Sequence, residues 1–141
     1  MKFSNQLKSK AIDSFQGELA WKKEDVAQAI NELTDNGYAI LGGDVWAVVK
    51  KQSNGFSLTS IDPANIEVGI IKGRDGQDYV FNWHSDRKSN EEWGDYVERS
   101  KNESMQIINK MNAEETVTQE LQNSIFYNLV FANEAEYQDL I

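Results

Sequence analysis

The residues with chemistry in them are few and scattered. The single histidine, His84, follows Trp83 and stands two positions before Asp86. A His-Asp pair does acid–base work only beside a nucleophile or a bound metal, and spacing supplies neither. A strand-end histidine making an ordinary hydrogen bond accounts for the same residues. Asp44 directly follows Gly42-Gly43 and precedes Trp46 by two. This glycine pair is no phosphate cradle, because it lacks the longer glycine pattern, a Lys-Ser/Thr and a helix directly behind it. It reads as a kink in a strand, one that can turn a carboxylate out of the sheet. Glu91, Glu92 and Asp95 offer neighbouring carboxylates, but the dipole of a helix already explains acids in its first turn. With one histidine and no cysteine, only carboxylates remain for a metal, and Asp75 to Asp78 lacks the alternating acids of a calcium loop. No cofactor, metal or enzyme signature is expected.

The elements that must position these residues centre on Tyr38 to Val49 (YAILGGDVWAVV). This apolar run reads as a buried central strand, kinked at Gly42-Gly43, where another backbone approaches or a bulge forms. Ahead of it, Phe3, Leu7, Ala11 and Phe15 recur every four residues and predict a first helix ending near Gly17, followed by a turn. A second helix runs from Lys23, with Val26, Ala29, Ile30 and Leu33 on one stripe and Asn36-Gly37 as its stop. Trp21 and Lys22 stand where a stronger cap would be expected.

After the central strand, residues 52–55 (Gln-Ser-Asn-Gly) signal a tight turn, and Phe56, Leu58 and Ile61 an antiparallel partner. Asp62-Pro63 marks a break. Ile66 to Lys72 reads as a third strand, Gly73 to Gly76 as a turn, and Tyr79 to Trp83 as a fourth strand, which together make a meander. Ser89 with Glu92 predicts a capping box for a long third helix. Its face is Trp93, Tyr96, Val97, Ser100, Ser104, Ile107, Ile108 and Met111. Asn112 and Glu115 suggest a further helix through Val117 and Leu121. The apolar run 125–131 reads as a fifth strand in preference to more helix. The expected class is α+β: an antiparallel sheet of four to five strands, two N-terminal helices and one long helix after the sheet.

Length and composition set outer limits. At 141 residues, 40% hydrophobic and 11% aromatic, the chain fits one folded domain over 1–141. No apolar run is long enough to span a bilayer, and the N-terminal stretch (MKFSNQLKSK) lacks the apolar centre of a signal peptide, so a cytoplasmic location is expected. A net charge of −9 argues against nucleic-acid binding. Residues 112–141 carry six acids and no Lys or Arg, an acidic extension that could draw in a basic partner or serve only solubility. Of the four tryptophans, Trp93 belongs to the core by its place on the long helix. Trp46 and Trp83 are the candidates for partial exposure, as interface anchors.

Three blocks, taken together, resemble the immunity protein 40 family of bacterial polymorphic toxin systems. They are Trp21-Lys-Lys-Glu-Asp-Val, then Ala39-Ile-Leu-Gly-Gly-Asp-Val-Trp46, then Asn82-Trp83 with Glu92-Trp93-Gly-Asp-Tyr-Val-Glu-Arg-Ser100. The resemblance covers about residues 12–111, which would make 1–111 a family-like core and 112–141 an extension beyond it. His84 stands where the family more often has an aromatic residue, and Asp62 to Gln77 looks like an additional hairpin. The resemblance implies a non-enzymatic immunity protein that binds and neutralises a cognate toxin domain, basic and of nuclease type by charge. Asp44, Trp46, Trp83, His84 and Asp86 are the expected partner-binding residues, with the acids of the tail as a second patch. Two rivals stay open: a scaffold or regulatory module whose tail strand completes a partner's sheet or a homo-oligomer, and a small hydrolase using His84 with Asp86 or Asp44.

Overall fold

The computed structural model describes residues 3–15, 17–49 and 61–141. The predicted turn at 52–55 and the strand residues Phe56 and Leu58 lie outside them. Ser4 caps helix α1 (Asn5–Ser9), its Oγ accepting from Leu7 N at 3.2 Å. That helix is shorter than the four-residue spacing suggests. Ile12–Ser14 forms strand β1, Phe15 (φ 48°) and Gly17 (φ 93°) flank the reversal, and Glu18–Trp21 returns as β2. The spacing misleads because Phe3, Leu7 and Ala11 all reach the core, whether from a helix or from its flanks. Helix α2 (Lys23–Asp35) buries Val26, Ala29, Ile30 and Leu33 as predicted. It starts at Lys22 without a side-chain cap and stops where Gly37 adopts φ 83°.

Strand β3 (Ala39–Val48) is the spine of the sheet. Beyond Pro63–Asn65, a short 3-10 turn capped by Asp62, the segment expected as one strand is two: β4 (Ile66–Val68) and β5 (Ile70–Lys72). Gly69, at φ 76°, divides them. The next predicted strand is split likewise, into β6 (Asp78–Val80) and β7 (Asn82–His84). Thus β5 and β6 form a separate two-stranded arm, while β4 and β7 return to β3. The meander is absent because the chain leaves the main sheet at Gly69 and re-enters it at Asn82.

Helix α3 (Trp93–Met111) buries Tyr96, Val97, Ser100, Ser104 and Ile108 on its predicted face. The Ser89–Glu92 capping box does not form. Asn90 is left-handed (φ 63°), Glu92 is an N-cap without a side-chain bond, and Glu91 Oε1 accepts from Lys88 N at 3.0 Å instead. Asn112, left-handed at φ 56°, ends α3. The expected helix through Leu121 is a four-residue α4 (Ala113–Thr116) and a 3-10 turn at Gln119–Leu121.

The apolar run near the C-terminal end becomes β8 (Ile125–Ala132), which lies between β2 and β3. It runs the whole length of β3, from Ala39↔Ala132 to Ala47↔Ile125, with a bulge between Ile40 and Gly42. Both of its edges are therefore engaged within the chain. Helix α5 (Glu134–Leu140) follows, closed by a capping box in which Asn133 Oδ1 accepts from Glu136 N at 2.8 Å and Glu136 Oε1 from Asn133 N at 3.0 Å. The sequence carries the Asn-x-x-Glu signal for it. Among the described residues the main sheet has six strands, in the order β1-β2-β8-β3-β4 with β7 also on β3. No helix among them is long and apolar enough to cross a membrane.

Period-two alternation assigns the two faces of this sheet. Val45, Ala47, Tyr127 and Leu129 join Val26, Ile30 and Leu33 of α2 and Ile108 of α3 in the main core. Two small residues let α3 approach closely. Ser100 Oγ accepts from Ile40 N at 2.9 Å, and Ser104 Oγ accepts from Trp83 Nε1 at 3.1 Å. Both serines are fully buried and bonded, so neither carries a desolvation penalty. The opposite face holds a smaller cluster at one end: Ile12, Ala20, Trp46, Ile61 and Ile66, with Phe15 edge-on to Trp46 at 5.1 Å. Its other end carries no covering layer among the described residues.

Candidate partner-docking face

The bare end of the sheet is built by register. Asp44 lies opposite Asn82 on β7 and Asn128 on β8, and Gly42 lies opposite His84 and Val130. These side chains share one face, two residues apart on each strand. Leu41, Gly42, Gly43, Asp44, Asn82, Trp83, His84 and Val130 line a shallow depression of about 330 Å³ there. That volume is at the small end of ligand sites, which run to ~1,000 Å³, so it suits one side chain better than a cofactor.

The two glycines make the depression. A Cβ on Gly42 would stand 2.2 Å from the Trp83 carbonyl oxygen. On Gly43 it would stand 2.3 Å from the Asn128 oxygen and 2.4 Å from the Trp83 ring. Any side chain would push β7 or the tryptophan away. The kink and the close backbone approach read from the sequence are thus both present.

Asp44 forms no ion pair or hydrogen bond to its carboxylate among the described residues, and partial burial alone pushes its pKa up. Asn82 and His84 are exposed and form no side-chain hydrogen bonds among the described residues. No bond joins His84 to Asp86 or Asp44, so a hydrogen-bonded acid–base pair is not assembled. Val130, which lines the depression, is 46% exposed, and other aliphatics are exposed on β4 and the β5–β6 arm: Val68 at 40%, and the cross-strand pair Ile70 and Val80 at 58% and 64%. Val130 lies on β8 opposite Gly42, Val68 on β4 opposite Trp46, and Ile70 and Val80 on the β5–β6 arm. Exposed aliphatics and a partly desolvated, unpaired charge are features found together at interaction surfaces.

The remaining expected residues lie elsewhere. Trp46 is 1% and Trp83 7% exposed, so the partial exposure expected of both is not found. Trp46 underlies the smaller cluster, and Trp83 fills the helix side behind Gly43. Asp86 is exposed past the end of β7, where its backbone oxygen accepts from Arg99 Nη2 at 2.6 Å. Asn82, Val130 and the aliphatic border were not picked out from the sequence. The alternation Val80-Phe81-Asn82-Trp83-His84, with Phe81 and Trp83 inward, is the signal for two of these residues, Val80 and Asn82. Val130 has none, because its place opposite Gly42 depends on a pairing 88 positions away along the chain.

Beside the depression, the loop after β7 is tied down by charge. Arg99 bridges Glu91 at 2.8 Å and Glu103 at 2.9 Å, and Ser85 Oγ donates to Glu103 at 2.6 Å. The Arg99 bond, helped by the Lys88 amide, holds Glu91 down at about 2. Tyr96 donates to the Ser85 carbonyl, and burial raises its pKa. Among the described residues, no group of three or more His, Asp or Glu side chains is placed to hold a metal ion.

Among curated proteins and among solved structures, none matches the chain. A family model does match, from residue 6 to residue 131, taking in every element from α1 to the greater part of β8. Over that span the fold and the blocks around Gly42-Gly43-Asp44 and Asn82-Trp83 fall inside one description, and the chain belongs to the immunity protein 40 family.

Proposed function

We propose that this chain is an immunity protein that binds a cognate toxin domain and neutralises it without catalysis, using the bare end of its sheet. The observation that carries the reading is Asp44, a half-buried carboxylate without a partner among the described residues, set in a depression that exposed Val130 helps to line. Folding alone gives no reason to desolvate an unpaired acid, whereas a cationic partner does. Asp44 and His84 make the contact, joined by Asn82 and Val130. Trp83 supports the surface from the main core behind it, Trp46 belongs to the smaller cluster beside it on the same face, and Asp86 lies past the end of β7. The acids of α5 follow the end of β8 that pairs with Ala39 of β3, and of these Glu134 is offset by Arg87 at 4.0 Å. A net charge of −9 favours a basic toxin domain and speeds its capture. Nucleases have such surfaces, because they bind phosphate backbones. The site of action would be the producing cell's cytoplasm.

The scaffold reading needs a free tail strand, and β8 has none to offer, being paired with β2 and β3. The hydrolase reading needs a partner for His84, and the described residues provide none. The test is co-expression with the toxic domain of the adjacent gene's product. Growth restored by this chain supports the reading. Death at equal expression of a folded chain, with no complex on size-exclusion chromatography, refutes it.

A further inference from the structure

We infer that the depression at Asp44 is a receptor for one arginine side chain of the partner. This rests on reading the bare sheet end as the docking face, and it names what is read there. The argument begins with charge. A carboxylate that is partly desolvated and unpaired gains most from a cation, and the chain as a whole is acidic. The second strand of the argument is the lining. Asn82 flanks Asp44 directly across the β3–β7 pairing, and His84 stands one pair further on, opposite Gly42. None of these side chains has an internal hydrogen bond to break among the described residues. A guanidinium carries five N–H donors in a planar fork, enough to serve both Asp44 oxygens and the Asn82 carbonyl together. An ammonium is a more strongly hydrated point charge and fits this arrangement less well.

The third strand is the border. Val130, exposed and lining the depression, offers apolar surface to the methylene stem of a long side chain. Gly42 and Gly43 let β7 and the Trp83 ring close against β3, which sets Asn82 and His84 beside Asp44, and Gly69 approaches the far side. A Cβ there would come within 3.9 Å of Asp44 Oδ1. Arginine is also the charged residue enriched at interface hot spots, where lysine is depleted.

The test uses the full chain, labelled with ¹⁵N, and three probes: N-acetyl-arginine amide, its lysine counterpart, and the uncharged citrulline counterpart. The expected result is saturable shifts for arginine in the roughly millimolar range that so small a ligand allows. They should be confined to the amides of residues 42–44, 82–84 and 130. Lysine should bind several-fold more weakly and citrulline not at all, and Asp44→Asn should abolish the arginine response while leaving the rest of the spectrum in place. Shifts spread over the acidic tail, equal binding of lysine, or an arginine response untouched by Asp44→Asn would each overturn the inference. In the complex, Asp44→Asn should weaken toxin binding about 30-fold or more. Undiminished binding by that variant overturns the receptor and leaves the immunity reading standing. If the wild-type chain neutralises nothing, the immunity reading falls, and the toxin falls with it as the occupant.

Discussion

Ser85 separates two groups of ionisable side chains that treat their charges in opposite ways. On the helix side, Arg99 is held between Glu91 and Glu103, Ser85 and Tyr96 close the group, and every charge meets its opposite. On the bare side, one strand residue earlier, His84, Asn82 and Asp44 stand around a depression without a bond among them. The first arrangement lowers the pKa of Glu91, chiefly through Arg99, and the second raises that of Asp44 through burial. A carboxylate stabilised by the fold belongs to the fold. One that the fold leaves disfavoured points to something outside it.

Trp83 is where that contrast can be broken most violently, since it backs both groups. Its ring lies behind Gly43 and donates to Ser104, while its strand neighbours form the depression. Trp83→Ala should destabilise the chain by about 3–5 kcal/mol, the usual range for deleting a buried aromatic, as read by urea unfolding. A loss within the range of a surface change would mean that Trp83 is not the common support.

Acid sharpens the contrast, because the two carboxylates respond with opposite sign. Glu91 is depressed from 4.5 to about 2, so its contribution is present at neutral pH and lost as pH falls through that window. Asp44 is raised, so its ionised form weighs against folding, and protonation relieves this as pH falls through its elevated value. Arg99→Met should lower stability at pH 7, by less than Trp83→Ala, and flatten the loss between pH 4.5 and about 2. An unchanged acid limb would mean that Arg99 is not what holds Glu91 ionised.

Asp44→Asn should have the smallest effect on folding. It should lie within about 0.5 kcal/mol of wild type, as for surface substitutions, and tend towards stabilisation because a disfavoured charge is removed. A clear loss of stability would show that Asp44 belongs with Glu91, among the carboxylates the fold depends on.

Much of the scaffold was legible in the sequence, and little of the site. Helices α2 and α3 declare themselves because their stripes repeat over three or more turns, and β3 because its run is long and its glycines adjacent. The Phe3-to-Phe15 spacing misled because a short helix and a hairpin can bury the same residues. The apolarity of 125–131 indicated a strand, but nothing local says that it enters the middle of the sheet beside residues 39–47. The depression depends on that pairing and on Gly42↔His84 and Gly43↔Trp83. Single residues therefore pointed to Asp44 and His84 but could not show that they share a face. Trp46 and Trp83 looked like surface anchors beside a kink, whereas the kink lets β7 and the Trp83 ring close against β3 and a separate apolar cluster covers Trp46.

The measurement that bears most directly on the central claim is the dissociation constant of the toxin-domain complex for Asp44→Asn, taken beside its unfolding curve. A binding loss of about 30-fold or more with an undiminished unfolding midpoint is the predicted result, a residue kept for a partner and not for the fold. Wild-type affinity in that variant would contradict the account and move the docking surface off the bare end of the sheet.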